Sequence, residues 1–359
     1  MANPALSSDG SGAYQRVADV NAPVARLARL CASFSAPMRH LFDELSARRA
    51  SLYQTASRLT ASGAPFEAAF VWPGGNLRIS LDPCPEASAQ VRTASCLAGM
   101  RTPLTPEQNM VCAQLMDWQA QHACRFGAWL GVRGGLGASA QGDALSTKLY
   151  LEVPAGAEWG IWEQNLLDSK AVLPSRNIRL SMVGLDPMRG GVELYYRSAS
   201  LFPGELNTLL KRFRLSPRGS EITAWIQQLL QRSIRDTLPS ADMGFSCATS
   251  ASGAPQIFTW YSTSIALLGP PERARAALLR VGEADLSALQ AYAQFSAPAP
   301  GERVPEHGLI GAMLAENVPM QTTATVSGVW EANNVAHDQY LGEHDMSSKS
   351  ARAAERNHV

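Results

Sequence analysis

Glu67 and Arg78 stand on either side of the turn-forming run Pro73-Gly74-Gly75-Asn76, one acid and one base among small residues. Further along, Lys148 and Tyr150 flank Leu149, Tyr195 and Arg197 flank Tyr196, and Tyr261 follows Trp260. Brought into one space, these residue types have a definite chemistry. Three cations (Arg78, Lys148, Arg197) can hold a multiply charged anion, for which a phosphate or diphosphate is the natural candidate. Tyr150, Tyr195 and Tyr261 can turn π-faces to a cation. Glu67 can accept a proton. An anion that leaves and an aromatic collar that steadies a cation together describe allylic ionisation. Each lysine or arginine alone is more often a solvated surface residue. What raises the functional reading is that they share a parity across repeated elements.

Those elements are strand pairs. Pro65 to Pro83 reads as a β-hairpin. Because side chains alternate along a strand, Phe66, Ala68, Phe70 and Trp72 share a face with Leu77, Ile79 and Leu81, while Glu67, Ala69 and Val71 share the other with Arg78 and Ser80. The apolar face needs a cover of helices. The other face suits the lining of a solvated cavity, or else a cross-strand ion pair on an exposed hairpin. The pattern recurs at 126–133 with 147–154, 178–186 with 190–198, 242–250 with 256–264, and 307–317 with 320–330. In the later pairs Lys148, Tyr150 and Glu152 oppose Leu149, Leu151 and Val153. Likewise Glu193, Tyr195 and Arg197 oppose Val192, Leu194 and Tyr196, and Thr259 and Tyr261 oppose Phe258 and Trp260. Thr323, Thr325 and Ser327 share a face. Five antiparallel pairs closed into a ring predict an α+β fold, a ten-stranded antiparallel β-barrel jacketed by α-helices and wide enough to hold a ligand.

Helices are expected from Val24 to Ser62 in two pieces, from Thr105 (an N-cap, with Pro106 following) to Ala123, and from Glu158 to Asp168. Others are expected from Pro203 to Phe213, from Glu221 to Leu238, and from Pro270 to Phe295 with a break near Gly282. The stretch between the first hairpin and Thr105 reads as a polar loop. Residues 1–22 and 331–359 read as disordered, leaving one domain over 23–330.

The chain has 359 residues, with 31 Lys and Arg balanced by 31 Asp and Glu, so no global field recruits nucleic acid or an anionic membrane. Six cysteines lack CxxC or His/Cys metal spacing and read as reduced thiols of a cytoplasmic protein. No apolar run approaches the roughly 20 residues of a membrane span, and the N-terminus lacks a secretory pattern. Gly131 to Gly137 is glycine-rich but precedes no helix, which removes a phosphate-loop reading and leaves an inter-strand loop. The six histidines show no metal spacing, and no nucleophile elbow supports Ser-His-Asp catalysis.

Taken in order, these motifs resemble the aromatic prenyltransferases of the ABBA type (the PT barrel), and most closely the bacterial dimethylallyltryptophan-synthase-like indole prenyltransferases. Pro65-Phe66-Glu67 with Leu77-Arg78 is similar to that family's opening motif, and Lys148-Leu149-Tyr150 to its second-hairpin motif. Where the family's third hairpin carries Arg-x-Lys-x-Tyr, this chain has Gly191-Val192-Glu193-Leu194-Tyr195, with Arg197 available to stand in for the missing cations. A tyrosine usual on the final strand is Thr325 here. The resemblance spans Pro65 to Trp330. It implies Glu67 as proton acceptor, Arg78, Lys148 and Arg197 as diphosphate ligands, and Tyr150, Tyr195 and Tyr261 as shield of an allylic cation. It implies dimethylallyl or a longer prenyl diphosphate as donor and an indole or tryptophan as acceptor, a Trp or Tyr side chain in a peptide being the alternative. A barrel that binds a phosphorylated or aromatic ligand without catalysis is a third reading, which Glu193 supports. No Asp-Asp pair occurs, so no metal is required on this reading and Mg²⁺ would at most stimulate.

Overall fold

A computed structural model describes residues 56–74, 76–135, 146–160, 163, 173, 176–240, 242–282, 287–298 and 304–327. Ten strands run in chain order: β1 (Phe66–Trp72), β2 (Asn76–Leu81), β3 (Ala128–Gly135), β4 (Ser146–Glu152), β5 (Ile178–Leu185), β6 (Val192–Ser198), β7 (Met243–Thr249), β8 (Pro255–Thr263), β9 (His307–Ala315) and β10 (Gln321–Val326). Every neighbouring pair is antiparallel, and β10 returns to β1, so the sheet is a closed barrel. Strands pair with their sequence neighbours, and closure leaves no edge exposed.

Burial along the strands is inverted relative to an ordinary half-exposed sheet. On β6, Val192, Leu194, Tyr196 and Ser198 are buried, whereas Glu193, Tyr195 and Arg197 keep partial access to solvent. The buried set faces outward, under helices; the wetter set faces the lumen. The continuous apolar core is therefore the layer between barrel and jacket, where Phe70, Tyr196, Phe245, Phe258 and Trp260 are fully buried. Tyr196 stacks on Phe245 at 4.8 Å between ring centroids and Phe70 meets Tyr292 edge-on at 5.8 Å. Each such ring contributes roughly 1.5–3 kcal/mol by leaving water.

The described helices are α1 (Ala89–Ala98), α2 (Pro106–Gln121), α3 (Pro203–Arg212), α4 (Gly219–Leu230), α5 (Ser264–Leu268), α6 (Pro271–Val281) and α7 (Ser287–Phe295). The Thr105 cap is present as a full capping box with Gln108. Gln108 also donates to the carbonyls of Asp186 and Gly191, at 3.0 and 2.8 Å, and so fastens the start of α2 to the β5–β6 turn. Near the other end, Gln119 donates to the carbonyls of Gly127 and Glu152, at 2.8 and 2.9 Å. Two buried amides thus fix one helix against the barrel wall.

Several expectations need correction. The polar loop before Thr105 contains helix α1, capped by Ser88. Its buried positions are Arg92, Thr93 and Cys96, so no apolar periodicity announced it. Arg92 is held by an ion pair to Asp82 at 3.2 Å and by donation to the carbonyls of Cys84 and Phe126. Helix α4 stops at Leu230 rather than Leu238, because Gln231 adopts a left-handed cap with φ of 53°. Strand β3 runs past the expected end at Arg133 through Gly134 and Gly135, which the loop reading had claimed. Glu152 has inward parity but is buried at the strand end, accepting the backbone N–H groups of Arg125, Phe126 and Gly127. Residues 56–62 are not helical. The remainder of the Val24–Ser62 helices, most of the Glu158–Asp168 helix and both terminal segments lie outside the described residues.

Candidate active site

In a barrel built from successive hairpins, every odd-to-even connection falls at one rim and every even-to-odd connection at the other. Strand parity then decides what enters the lumen, and position along the strand decides the height. Glu67 is the second residue of β1 and so lies near the even-to-odd rim. Arg78 faces Ala69 across the β1–β2 ladder, about 7 Å further along at 3.3–3.4 Å per residue. Lys148, Tyr150, Tyr195 and Tyr261 come in from β4, β6 and β8.

Glu67 is almost fully buried. Its carboxylate accepts a hydrogen bond from the Thr325 hydroxyl, which in turn accepts the Leu309 N–H at 2.5 Å. Burial pushes the Glu67 carboxyl up to about 7, with the Thr325 hydrogen bond pulling the other way. That places it where a general base works best near neutrality. No Glu67–Arg78 ion pair is found among the described residues, so the two are not the cross-strand pair that an exposed hairpin would hold. The position occupied by threonine rather than tyrosine on the last strand is the one that orients the acid. Gly308 makes room for it: a Cβ there would lie 1.9 Å from Glu67 Oε1 and 2.6 Å from Thr325 Oγ1. Gly308→Ala is expected to displace the carboxylate and lower turnover at least tenfold, while the buried outer core is untouched. Parallel kinetics and melting curves check this; unchanged turnover would show that the carboxylate's position is not critical.

A second cluster surrounds Lys148. Its ammonium is ion-paired with Glu193 and donates to the Tyr195 hydroxyl at 3.1 Å. It also lies 5.0 Å from the Tyr150 ring centre and 5.4 Å from that of Tyr195, within cation–π range. Ser246 donates to the other Glu193 oxygen at 2.6 Å. Burial alone would raise the Glu193 carboxyl, but the charge and hydrogen bond of Lys148, the Ser246 hydroxyl and the charge of Arg78 together hold it down at about 2. Tyr150, Tyr195 and Tyr261 form a chain of rings, with centroids 5.9 Å apart for the first pair and 6.4 Å for the second. Burial raises the phenols of Tyr195 and Tyr261, so both stay neutral. Tyr261 donates to the Tyr196 carbonyl at 2.8 Å, which fixes its ring.

Inward glycines on alternate strands give these side chains their space. A Cβ on Gly131 would lie 2.6 Å from the Tyr150 ring, one on Gly184 would lie 2.4 Å from Lys148 Cε, and one on Gly244 would lie 2.6 Å from the Tyr261 ring. Each large lumen side chain therefore lies across a bare stretch of the neighbouring strand.

Arg197 stands apart. It lies at the even-to-odd rim, ion-paired to Asp242 at 2.7 Å, with both side chains 41% exposed. It does not join the Lys148 cluster. Arg133 on β3, unremarked in the sequence, faces Arg78 across the β2–β3 ladder instead. The strand expected over 126–133 already carried it, at the end beside the glycines, but its facing of Arg78 depends on the β2–β3 register. Among the described residues no cluster of His, Cys, Asp and Glu could hold a metal ion, and no helix is long and apolar enough to cross a membrane.

Solved structures share this architecture. PriB, in a ternary complex with L-tryptophan and dimethylallyl thiolodiphosphate, superposes with a TM-score of 0.63 at 15% identity, covering 86% of this chain and 96% of that one. The 5-dimethylallyl tryptophan synthase from Streptomyces coelicolor, with DMASPP and Trp, gives 0.65 at 18% identity, covering 87% and 95%. NotF, in complex with brevianamide F and DMSPP, gives 0.55 at 12% identity, covering 88% and 94%. The chain has the prenyltransferase-barrel fold. Neither protein-family models nor curated proteins match the sequence. The prenyltransferase barrel here thus keeps its architecture with little of its neighbours' sequence.

Proposed function

We propose that the protein is an aromatic prenyltransferase. It would transfer a dimethylallyl or longer prenyl group from its diphosphate to an electron-rich aromatic ring, an indole such as tryptophan by preference. The observation that carries this is the division of the lumen. A buried carboxyl raised to about 7 lies toward one rim, a chain of tyrosine rings lines the lumen, and Arg78 and Arg133 lie nearer the other rim. The fold neighbours that hold tryptophan with a dimethylallyl thiolodiphosphate support the choice of substrates.

Cations draw charge from the leaving diphosphate as the allylic C–O bond lengthens. The faces of Tyr150, Tyr195 and Tyr261 would steady the allylic cation and keep water from it. A ring carbon of the acceptor attacks the cation. Glu67, which can accept the indole N–H hydrogen bond during attack, then takes the proton from the carbon attacked, and the aromatic system is restored. Side chains of this barrel neutralise charge in a role that Mg²⁺ fills elsewhere, so the reaction would run without added metal.

Incubation with dimethylallyl diphosphate and tryptophan, in excess EDTA, should give a mass gain of one prenyl unit on tryptophan. Tyrosine and a Trp-containing cyclic peptide in parallel arms define the acceptor. Absence of product with every acceptor, with and without Mg²⁺, would remove the enzymatic reading. Loss of product in EDTA with rescue by Mg²⁺ would remove the metal-free one.

A further inference from the structure

The rim that carries the hairpin turns holds an arginine pair that the ion pairs of the lumen do not neutralise. Arg78 and Arg133 are direct cross-strand partners, a placement that sets Cβ atoms about 4.5–5.5 Å apart and makes like charges repel. The Nε of each is buried and has no hydrogen-bond partner among the described residues. The nearby counter-charges are both shared: Asp186, 3.5 Å from Arg133, also serves Arg189 at 3.8 Å and the Met188 N–H at 3.1 Å, and Glu193, which feels the charge of Arg78, is ion-paired with Lys148. Burial, followed by the charges of Arg78 and Arg189, lowers Arg133 to about 10. Lys148 meanwhile is committed to Glu193.

Two facing, part-buried guanidiniums, each with a buried Nε that has no hydrogen-bond partner, are a cost to the fold that a bound anion relieves. Their forked donors match the oxygens of a diphosphate. We infer that Arg133 is a diphosphate ligand, and that the Arg78–Arg133 pair, rather than Lys148 or Arg197, is the main seat of the donor's charge. This rests on the prenyl-transfer reading and deepens it. Arg133 supplies from β3 the charge that the third hairpin lacks at Gly191 and Glu193, near the β5–β6 turn. Arg197 lies at the opposite rim and cannot. A diphosphate bridging the pair leaves its prenyl chain directed down the lumen, past Tyr150 and Tyr195 toward Glu67.

Calorimetric titration with inorganic diphosphate tests the seat without needing prenyl chemistry. Arg133→Gln should weaken binding about 10- to 100-fold, the span of a charged hydrogen bond, and Arg133→Lys should recover part of it. The melting temperature of Arg133→Gln should equal or exceed that of the wild type, because a repulsion is relieved while Asp186 keeps Arg189. A structural role predicts the reverse, a lower melting temperature, and would overturn the inference, as would unchanged affinity in the folded variant. Prenyl transfer to tryptophan is measured on the same proteins. If diphosphate binding depends on Arg133 but no acceptor is prenylated, the seat stands and the prenyl-transfer reading falls. If both affinity and transfer persist in Arg133→Gln, the seat falls and the reading stands.

Discussion

Glu67→Gln should lower kcat by about 10²–10⁴-fold, the usual contribution of a general base, with donor affinity nearly unchanged because Glu67 has the wrong sign to hold an anion. The amide oxygen can still accept the Thr325 hydroxyl, so the geometry is kept and only the basicity is lost. Stability supplies a second readout of opposite sign. The Glu67 carboxyl is raised from 4.5 to about 7 by burial. Its contribution to stability is therefore fully present below about pH 4.5 and is lost as pH rises through about 7. Above that, the buried carboxylate costs the fold roughly 3 kcal/mol, at about 1.4 kcal/mol per pK unit. Glu67→Gln should accordingly melt several degrees higher than the wild type at pH 8, and the gap should close near pH 5. Wild-type kcat should climb through pH 7 as the base ionises. Near-normal turnover in a folded Glu67→Gln protein would remove the residue from the mechanism. A fall in melting temperature at pH 8 would mean that the carboxylate is structural.

The largest expected stability effect belongs to Lys148. Removing one partner of a buried ion pair strands the other charge, at a cost of about 3–5 kcal/mol. Lys148→Met should show this at neutral pH, where Glu193 would be left with Ser246 and the charge of Arg78. The Glu193 carboxyl is held at about 2, so its stabilisation is present above 4.5 and lost as pH falls through about 2. The penalty in Lys148→Met should shrink below about pH 4.5, where the stranded carboxyl can take up a proton. Adding Glu193→Gln should restore much of the loss. Urea unfolding of the wild type, both single variants and the double variant gives the coupling directly. Small, additive effects below about 1 kcal/mol would contradict the buried pair. A loss of donor binding in Lys148→Met alone would not identify Lys148 as a ligand, since the same change disturbs the tyrosines it spans.

Alternation along each strand was legible because parity is local: every second side chain faces one way whatever the strand later pairs with. That was enough to place Glu67, Arg78, Lys148, Tyr150, Tyr195 and Tyr261 on the lumen side and to predict ten strands closed into a barrel. It also put the apolar residues outside, under helices, because each hairpin had one mainly apolar face. Helix α1 escaped notice because its buried side is Arg92, Thr93 and Cys96, whose burial depends on acceptors such as Asp82 and Phe126 elsewhere in the chain. Height along the barrel, and who meets whom at that height, was decided only by tertiary structure. Arg197 shares the parity of Tyr195 but ends at the rim beside Asp242. Lys148 finds Glu193 on another hairpin, and Thr325 closes the ring onto Glu67 from the last strand. Such partnerships depend on register and closure, which join residues far apart in sequence, so no local pattern of residue types could specify them.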